Sequence, residues 1–368
     1  MSFGLFRAAR LDLRGLCGVR RSVKSKLFLF TGGRRVRIIE GELGRNGPEG
    51  DENHDPAEEG GITVRRVPRS LKGWAAWLAL LLVLAGCGQS AAPSVGEQGD
   101  NAEKLTVYTS LYPYQFFAEQ IGADRVEVHN LVPPGAEPHE FEPTPKDVVK
   151  LSEADVFVYN GAGFERWIDE VLDAVDTSNM VIVQAAEHVR LLPNDPHVWL
   201  DPLRAKAIAQ AIRDALIQAD PEGKAIYEGN YQKLAAELDR LHAEYEAAVK
   251  QAPRKEIIVS HSAYGYLADR YGLKQIAIAG LAPSDEPSQK DLQAILAFAR
   301  EHNVKYILFE TLVSNKVAEV VREQLKAEAL TLNPLEGLTK EERAKGKDYF
   351  DVMRENLAVL KKALGVAS

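Results

Sequence analysis

The chain has 368 residues, 45% hydrophobic and 27% charged, a globular composition with material for two ordinary cores. Its net charge of −8 hides an asymmetry, because the residues after Gly73 carry 30 basic and 44 acidic side chains, a net charge of −14. An acidic body excludes a nucleic-acid footprint. The only cysteines, Cys17 and Cys87, both precede the body, which excludes a disulfide framework or a cysteine zinc site within it.

Residues 1–63 combine arginine clusters, glycine pairs and the acidic stretch GPEGDENHDPAEEGG without sustained periodicity. Signal peptides do not ordinarily begin so far in, so this segment is expected to be a mis-assigned or disordered extension. Translation is expected to start at Val64, read from a GTG codon, with Glu59-Gly60-Gly61 encoded by a purine-rich string resembling a ribosome-binding site. In residues 64–87, Arg65, Arg66, Arg69 and Lys72 precede an apolar run from Trp74 to Ala85 that is too short for a membrane-spanning helix. The ending LAGC resembles the lipobox of bacterial lipoproteins. That resemblance implies lipidation of Cys87 and a protein exported and anchored by lipid to the outer face of the cytoplasmic membrane. Residues 88–103 are small and polar, with Gly, Ser and Pro, and read as a flexible tether.

From Lys104 onward, short β-branched runs alternate with helical patterns. LTVYTS (105–110), RVEVHNLV (125–132), VFVYN (156–160) and MVIVQ (180–184) read as strands, with helices near 113–122, 145–152, 164–175 and 202–219. About thirty residues of helix-favouring composition follow, opened by Asp220-Pro221 and stopped near Pro253, with Ile226, Leu234, Leu238, Leu241 and Tyr245 at three-to-four spacing. Strands resume at EIIVSH (256–261), QIAIAGL (275–281), YILFET (306–311) and ALTLNPL (329–335), and a last helix is expected near 348–364. The expected fold is α/β, with two four-strand parallel-sheet lobes at 104–220 and 253–368 joined by one long rigid helix at 221–252. A helical hinge predicts small lobe motions.

Among eight histidines, His54, His129, His188, His242 and His302 read as surface or structural groups. The other three share a logic. His139 in PPGAEPHEFEPTP, His197 in NDPHVWLDP and His261 ending EIIVSH all fall at carboxyl ends of predicted parallel strands, where open α/β sheets place ligands. Pro133, Pro134, Pro138, Pro143 and Pro145 stiffen the loop of His139, and Asp201-Pro202 caps the helix after His197. Three imidazoles around zinc want a carboxylate or water as fourth ligand. Glu310 in YILFETLVS and Glu336 in TLNPLEGLT both follow strands, and periodicity does not choose between them.

PPGAEPHEFEPTPKDVVKLSEADVFVYNGAGFERW, DPHVWLDP, IVSHSAYGYLADRYGL and LNPLEGLT, in this order around a long central helix, resemble the zinc-binding solute-binding proteins of bacterial metal ABC importers. The resemblance covers essentially all of residues 104–364. It implies His139, His197, His261 and Glu336 as ligands in the cleft between lobes, with Glu310 beside the site or capping a helix. It further implies Zn(II) as transported ligand, a permease with its ATPase as partner, a monomeric state and no enzymatic activity. Manganese-binding relatives typically carry a carboxylate at the third position, so His261 favours zinc, as the preference of imidazole for zinc also does. Many zinc members have a long His-rich loop between the first two ligands. Here AAEHVRLLPNDP is short, with His188 alone, and auxiliary zinc capture is not expected. The competing readings are a manganese-binding homologue, an adhesin using zinc structurally, and a zinc-dependent hydrolase with Glu336 or Glu310 as base. The chain has no H-E-x-x-H pair to support the last and no G-x-x-x-x-G-K-[ST] loop for an ATPase of its own.

Overall fold

A computed structural model describes residues 104–367, so the extension, the signal segment and Cys87 lie outside the described residues. The β-branched runs form eight strands in two all-parallel sheets. β1 (Leu105–Thr109), β2 (Val126–Asn130), β3 (Val156–Tyr159) and β4 (Val181–Gln184) are ordered β2-β1-β3-β4. β5 (Glu256–Val259), β6 (Lys274–Ala277), β7 (Tyr306–Phe309) and β8 (Glu328–Thr331) repeat that arrangement as β6-β5-β7-β8. In such sheets the connections after the strands converge at one edge, and ligands bind there.

The helices of the first lobe are α1 (Tyr112–Gly122), α2 (Pro145–Leu151), α3 (Ile168–Ala174) and α4 (Pro202–Ala219). After the linking helix α5 (Lys224–Gln251) come α6 (Gly265–Tyr271), α7 (Gln289–Glu301), α8 (Lys316–Leu325), α9 (Lys340–Ala344) and α10 (Tyr349–Leu364). Their starts follow local chemistry. Thr144 with Asp147, Ser288 with Asp291, Thr339 with Glu342 and Asp348 with Asp351 form reciprocal capping pairs, and the Asp201 carboxylate accepts from Leu203 N beside Pro202.

Two expectations need correction. The helix expected from residue 164 begins only at Ile168, because Gly161, Ala162 and Gly163 all take positive φ (75°, 52° and 79°) and turn the chain sharply after β3. On α5, Ile226 is 46% exposed, and the buried stripe is set by Tyr227, Tyr231, Leu234, Leu238, Leu241 and Tyr245. Residues 221–223 form a 3-10 turn ahead of α5, with Asp220 accepting from Gly223 N, so the stripe starts one residue later than the apolar pattern suggested.

α5 has 28 residues, hence a length of about 42 Å. It packs on α1 and α4 in the first lobe and on α10 in the second. Alternate strand residues divide the core. Val156 and Val158 face a large cluster that also holds Leu238, Leu241, Ile257, Val259 and Leu357, and so runs through both lobes. Phe157 and Tyr159 point the other way, into a smaller cluster with Trp167, and Ile258 and Ile307 do the same in the second lobe.

Polar contacts also cross between lobes. Asp201, fully buried, accepts from Arg204 at 2.6 Å and from Arg270 of α6 at 2.7 Å, while Arg204 reaches Asp269 at 3.2 Å. Tyr266 OH donates to Asp195 O at 2.6 Å, Trp199 Nε1 to Pro334 O at 2.8 Å, and Gly135 N to Leu338 O at 3.0 Å. Among the described residues, no helix is long and apolar enough to cross a membrane.

Candidate metal centre

The loops that leave the strands bring four side chains together. His139 lies in a 3-10 turn, Pro138–Glu140, entered through the Glu137 carboxylate, which accepts from His139 N at 2.8 Å. His197 precedes the turn Val198–Leu200, whose residues are packed in the core. His261 follows β5 directly, and Glu336 follows Leu335, a buried residue at φ 56°. A leucine in that left-handed region is strained, and its burial holds it there.

The donor atoms of His139, His197, His261 and Glu336 all lie within 4.8 Å of one another. Glu336 Oε1 is 3.4 Å from His139 Nε2, 3.6 Å from His197 Nε2 and 3.3 Å from His261 Nε2, and the Nε2 atoms of His139 and His197 are 3.3 Å apart. A tetrahedron with bonds of about 2.0–2.1 Å to a central zinc has edges of about 3.3–3.4 Å. The donors therefore stand at the spacing such an ion needs. Glu336 Oε1 and His261 Nε2 are buried and have no well-aligned hydrogen-bond partner, which is costly unless something else satisfies them.

Beyond the donors, two carboxylates orient the rings. Asp195 Oδ1 accepts from His197 Nδ1 at 2.8 Å and from its backbone N at 3.0 Å. Glu310 Oε2 lies 2.7 Å from His261 Nδ1, close enough for an ion pair although off the line of a hydrogen bond, and Glu310 Oε1 accepts from Ser260 Oγ at 2.7 Å. This geometry separates the two acids: Glu336 faces the Nε2 atoms and Glu310 stands behind one ring. Such partners fix ring orientation and raise ligand basicity.

The charges are mutually arranged. Burial alone would raise the Glu336 carboxyl, but the imidazoles of His139, His197 and His261 close around it hold it well below the usual range. Burial alone would lower His261, yet the Glu310 and Glu336 carboxylates carry it up to about 10. His197 is also raised, with Asp195 and Glu336 overcoming its burial. Glu137 is pushed up to about 7, by burial first and then by the negative charge of Glu336. Its Oε2 is buried and unpartnered.

Every donor singled out in the sequence is in this cluster, and Glu310 adjoins it. His129, at 41% side-chain exposure beside Glu127, and His302, at 36% beside Glu256, are surface groups, and His242 meets Tyr271 OH on α6. Sequence reasoning missed Asp195, Glu137 and Phe164. For Asp195 a signal existed, since an acid two positions before a candidate ligand can reach back to the ring; Phe164 had none.

Two four-strand parallel lobes around a linking helix, with three imidazoles and a carboxylate converging at their facing edges, define a metal-binding protein of the two-lobed solute-binding class. The chain belongs to the family described as zinc-uptake complex component A, periplasmic, whose model matches residues 107–363. It is 39% identical over 309 residues to the high-affinity zinc uptake system protein ZnuA of Bacillus subtilis (strain 168), covering 79% of this chain and 96% of the relative. It is 35% identical over 277 residues to the zinc-binding lipoprotein AdcA of Streptococcus pneumoniae, covering 70% of this chain; the match spans only about half, 55%, of that relative's length. The crystal structure of the Zn(II)-bound ZnuA-like domain of Streptococcus pneumoniae AdcA superposes with a TM-score of 0.64 at 37% identity, covering 71% of this chain and 99% of the other.

Proposed function

We propose that the protein is the extracytoplasmic zinc-binding component of an ABC importer, which captures Zn(II) between its lobes and hands it to a membrane permease driven by a separate ATPase. The observation that carries this reading is the spacing of the four donors, with Glu336 Oε1 at 3.3–3.6 Å from three imidazole nitrogens. Four protein donors leave no open position for an activated water, which speaks for carriage over hydrolysis. Three imidazoles with a single carboxylate suit zinc better than manganese, whose sites are richer in oxygen. The name of the Streptococcus pneumoniae relative, a zinc-binding lipoprotein, and the LAGC ending support attachment to the membrane through lipid on Cys87.

Competitive zinc titration of purified protein tests the site. His197→Ala and Glu336→Ala each remove a donor and should lose more than about 100-fold in affinity, whereas Glu310→Ala, which only loosens a ring, should lose about 10–100-fold. A neutral Glu336→Ala beside a damaging Glu310→Ala would exchange their roles. Cys87→Ser should move the expressed protein from the membrane fraction to the soluble exported fraction.

A further inference from the structure

The four donors are not equally enclosed. The side chains of His197, His261 and Glu336 are 0–1% exposed and that of His139 is 8% exposed, so solvent approaches the cluster past His139. The rings also differ in their support. His197 and His261 each have Nδ1 beside a carboxylate, whereas among the described residues no carboxylate or carbonyl meets His139 Nδ1. What meets the His139 ring is Phe164. It is 3% exposed, with centroids 4.3 Å from His139, 6.1 Å and edge-on from His197, and 5.6 Å from Trp199.

Phe164 is held there by a turn built at some cost. Gly161, Ala162 and Gly163 take positive φ, and the Glu165 carboxylate, only 5% exposed, closes the turn by accepting from Ser110 Oγ at 2.5 Å, Asn160 N at 2.8 Å and Gly161 N at 2.9 Å. Asn160 then donates to Pro196 O at 3.0 Å, next to His197. A carboxylate is expensive to bury, and strained backbone persists only where its surroundings over-determine it. Neither feature is needed to cap α3, which starts later, at Ile168.

Zinc is content with four ligands, while harder divalent ions such as manganese take octahedral shells completed by water. The apolar shell around a site decides whether that water can enter. We propose that Phe164, clamped by Glu165, is a specificity-determining residue: its ring keeps His139 aimed at the other donors and shuts water out, holding a bound ion to four ligands. This rests on the four-donor reading of His139, His197, His261 and Glu336.

Cobalt(II) is the probe, because four-coordinate Co(II) absorbs strongly in the visible and five- or six-coordinate Co(II) weakly. Wild-type protein, Phe164→Ala, Phe164→Leu and Glu165→Gln are titrated with Co(II), and Zn(II) and Mn(II) affinities are measured by competition. The wild type should give the intense spectrum. Phe164→Ala should give a weak one and a zinc-to-manganese affinity ratio reduced by about tenfold or more, with Phe164→Leu and Glu165→Gln between them. A wild type lacking the intense spectrum overturns the four-donor reading itself. An intense wild-type spectrum that persists in the variants with an unchanged ratio overturns the role of Phe164 alone, as does an equal loss of zinc and manganese affinity with the spectrum intact. Where circular dichroism shows Phe164→Ala unfolded, Phe164→Leu and Glu165→Gln decide by the same criteria.

Discussion

One oxygen, Glu336 Oε1, faces the Nε2 atoms of His139, His197 and His261, and this sets how protons compete with metal. Metal binding needs neutral imidazoles. In the metal-free protein His261 is raised from 6.5 to about 10, against its burial, by Glu310 and Glu336, and His197 is raised by Asp195 and Glu336. Zinc affinity should therefore keep rising from about pH 6 toward about pH 10, beyond the point where an ordinary imidazole would have finished titrating. The stability linkage has the matching sign. A raised histidine stabilises the metal-free fold fully below about 6.5, and that contribution is lost as pH climbs toward about 10. The increase in melting temperature on adding zinc should thus grow with pH over this window; a flat affinity or melting profile would contradict a three-histidine site.

Among the elements, the joint between α4 and α5 turns on one side chain. Asp220 accepts from Arg125 at 2.7 Å, Tyr227 OH at 2.6 Å and Gly223 N at 3.2 Å, tying the end of α1 to both helices. Arg125, with help from Tyr227 and Gly223, lowers its carboxyl to about 2. Asp220→Ala should cost about 1–2 kcal/mol in urea unfolding, as loss of a cap does. Zinc affinity should not change. Because the folded value lies below the ordinary 3.8, this stabilisation is present above about pH 4 and lost as pH falls toward 2, so the variant and wild type should converge in acid.

The elements also mark how far the sequence could be read. Runs such as VFVYN and EIIVSH, bounded by turn residues, announced their strands, and three histidines at strand ends announced the ligand edge. The choice of Glu336 over Glu310 was not legible from periodicity, since both acids follow strands; it needed the family resemblance, and in the structure it appears as the difference between facing Nε2 and facing Nδ1. Phe164 was hidden for another reason. Its place depends on positive φ at Ala162, which a non-glycine residue does not advertise, and on Glu165 reaching Ser110 on a distant strand end.

At the scale of the molecule, the apolar core continues through both lobes and Asp201 binds Arg270 across them, contacts that involve no metal donor and predict a fold that survives metal removal. Protein stripped with a chelator should keep its far-ultraviolet circular dichroism and a cooperative melt, at lower temperature by an amount that depends on zinc concentration. Loss of the fold on stripping would favour a structural role for zinc. Arg270→Ala leaves the buried Asp201 with Arg204 as its one cationic partner, beside Leu203 N, and should cost about 2–3 kcal/mol, the low end for a broken buried pair. The same variant reports on lobe coupling, since zinc affinity should weaken with it even though Arg270 touches no donor.

His139 and Glu336 stand about two hundred residues apart along the chain, on loops joined by the bond from Gly135 N to Leu338 O, with Trp199 Nε1 bonded to Pro334 O beside them. Contacts of such long sequence separation form late, after loop-closure entropy has been met by the rest of the fold. An unfolded chain consequently offers only scattered imidazoles, each a weak and unselective trap. Chelation is an emergent property of the finished molecule. Loading is thereby deferred until folding ends, and metals met before then have nothing assembled to occupy.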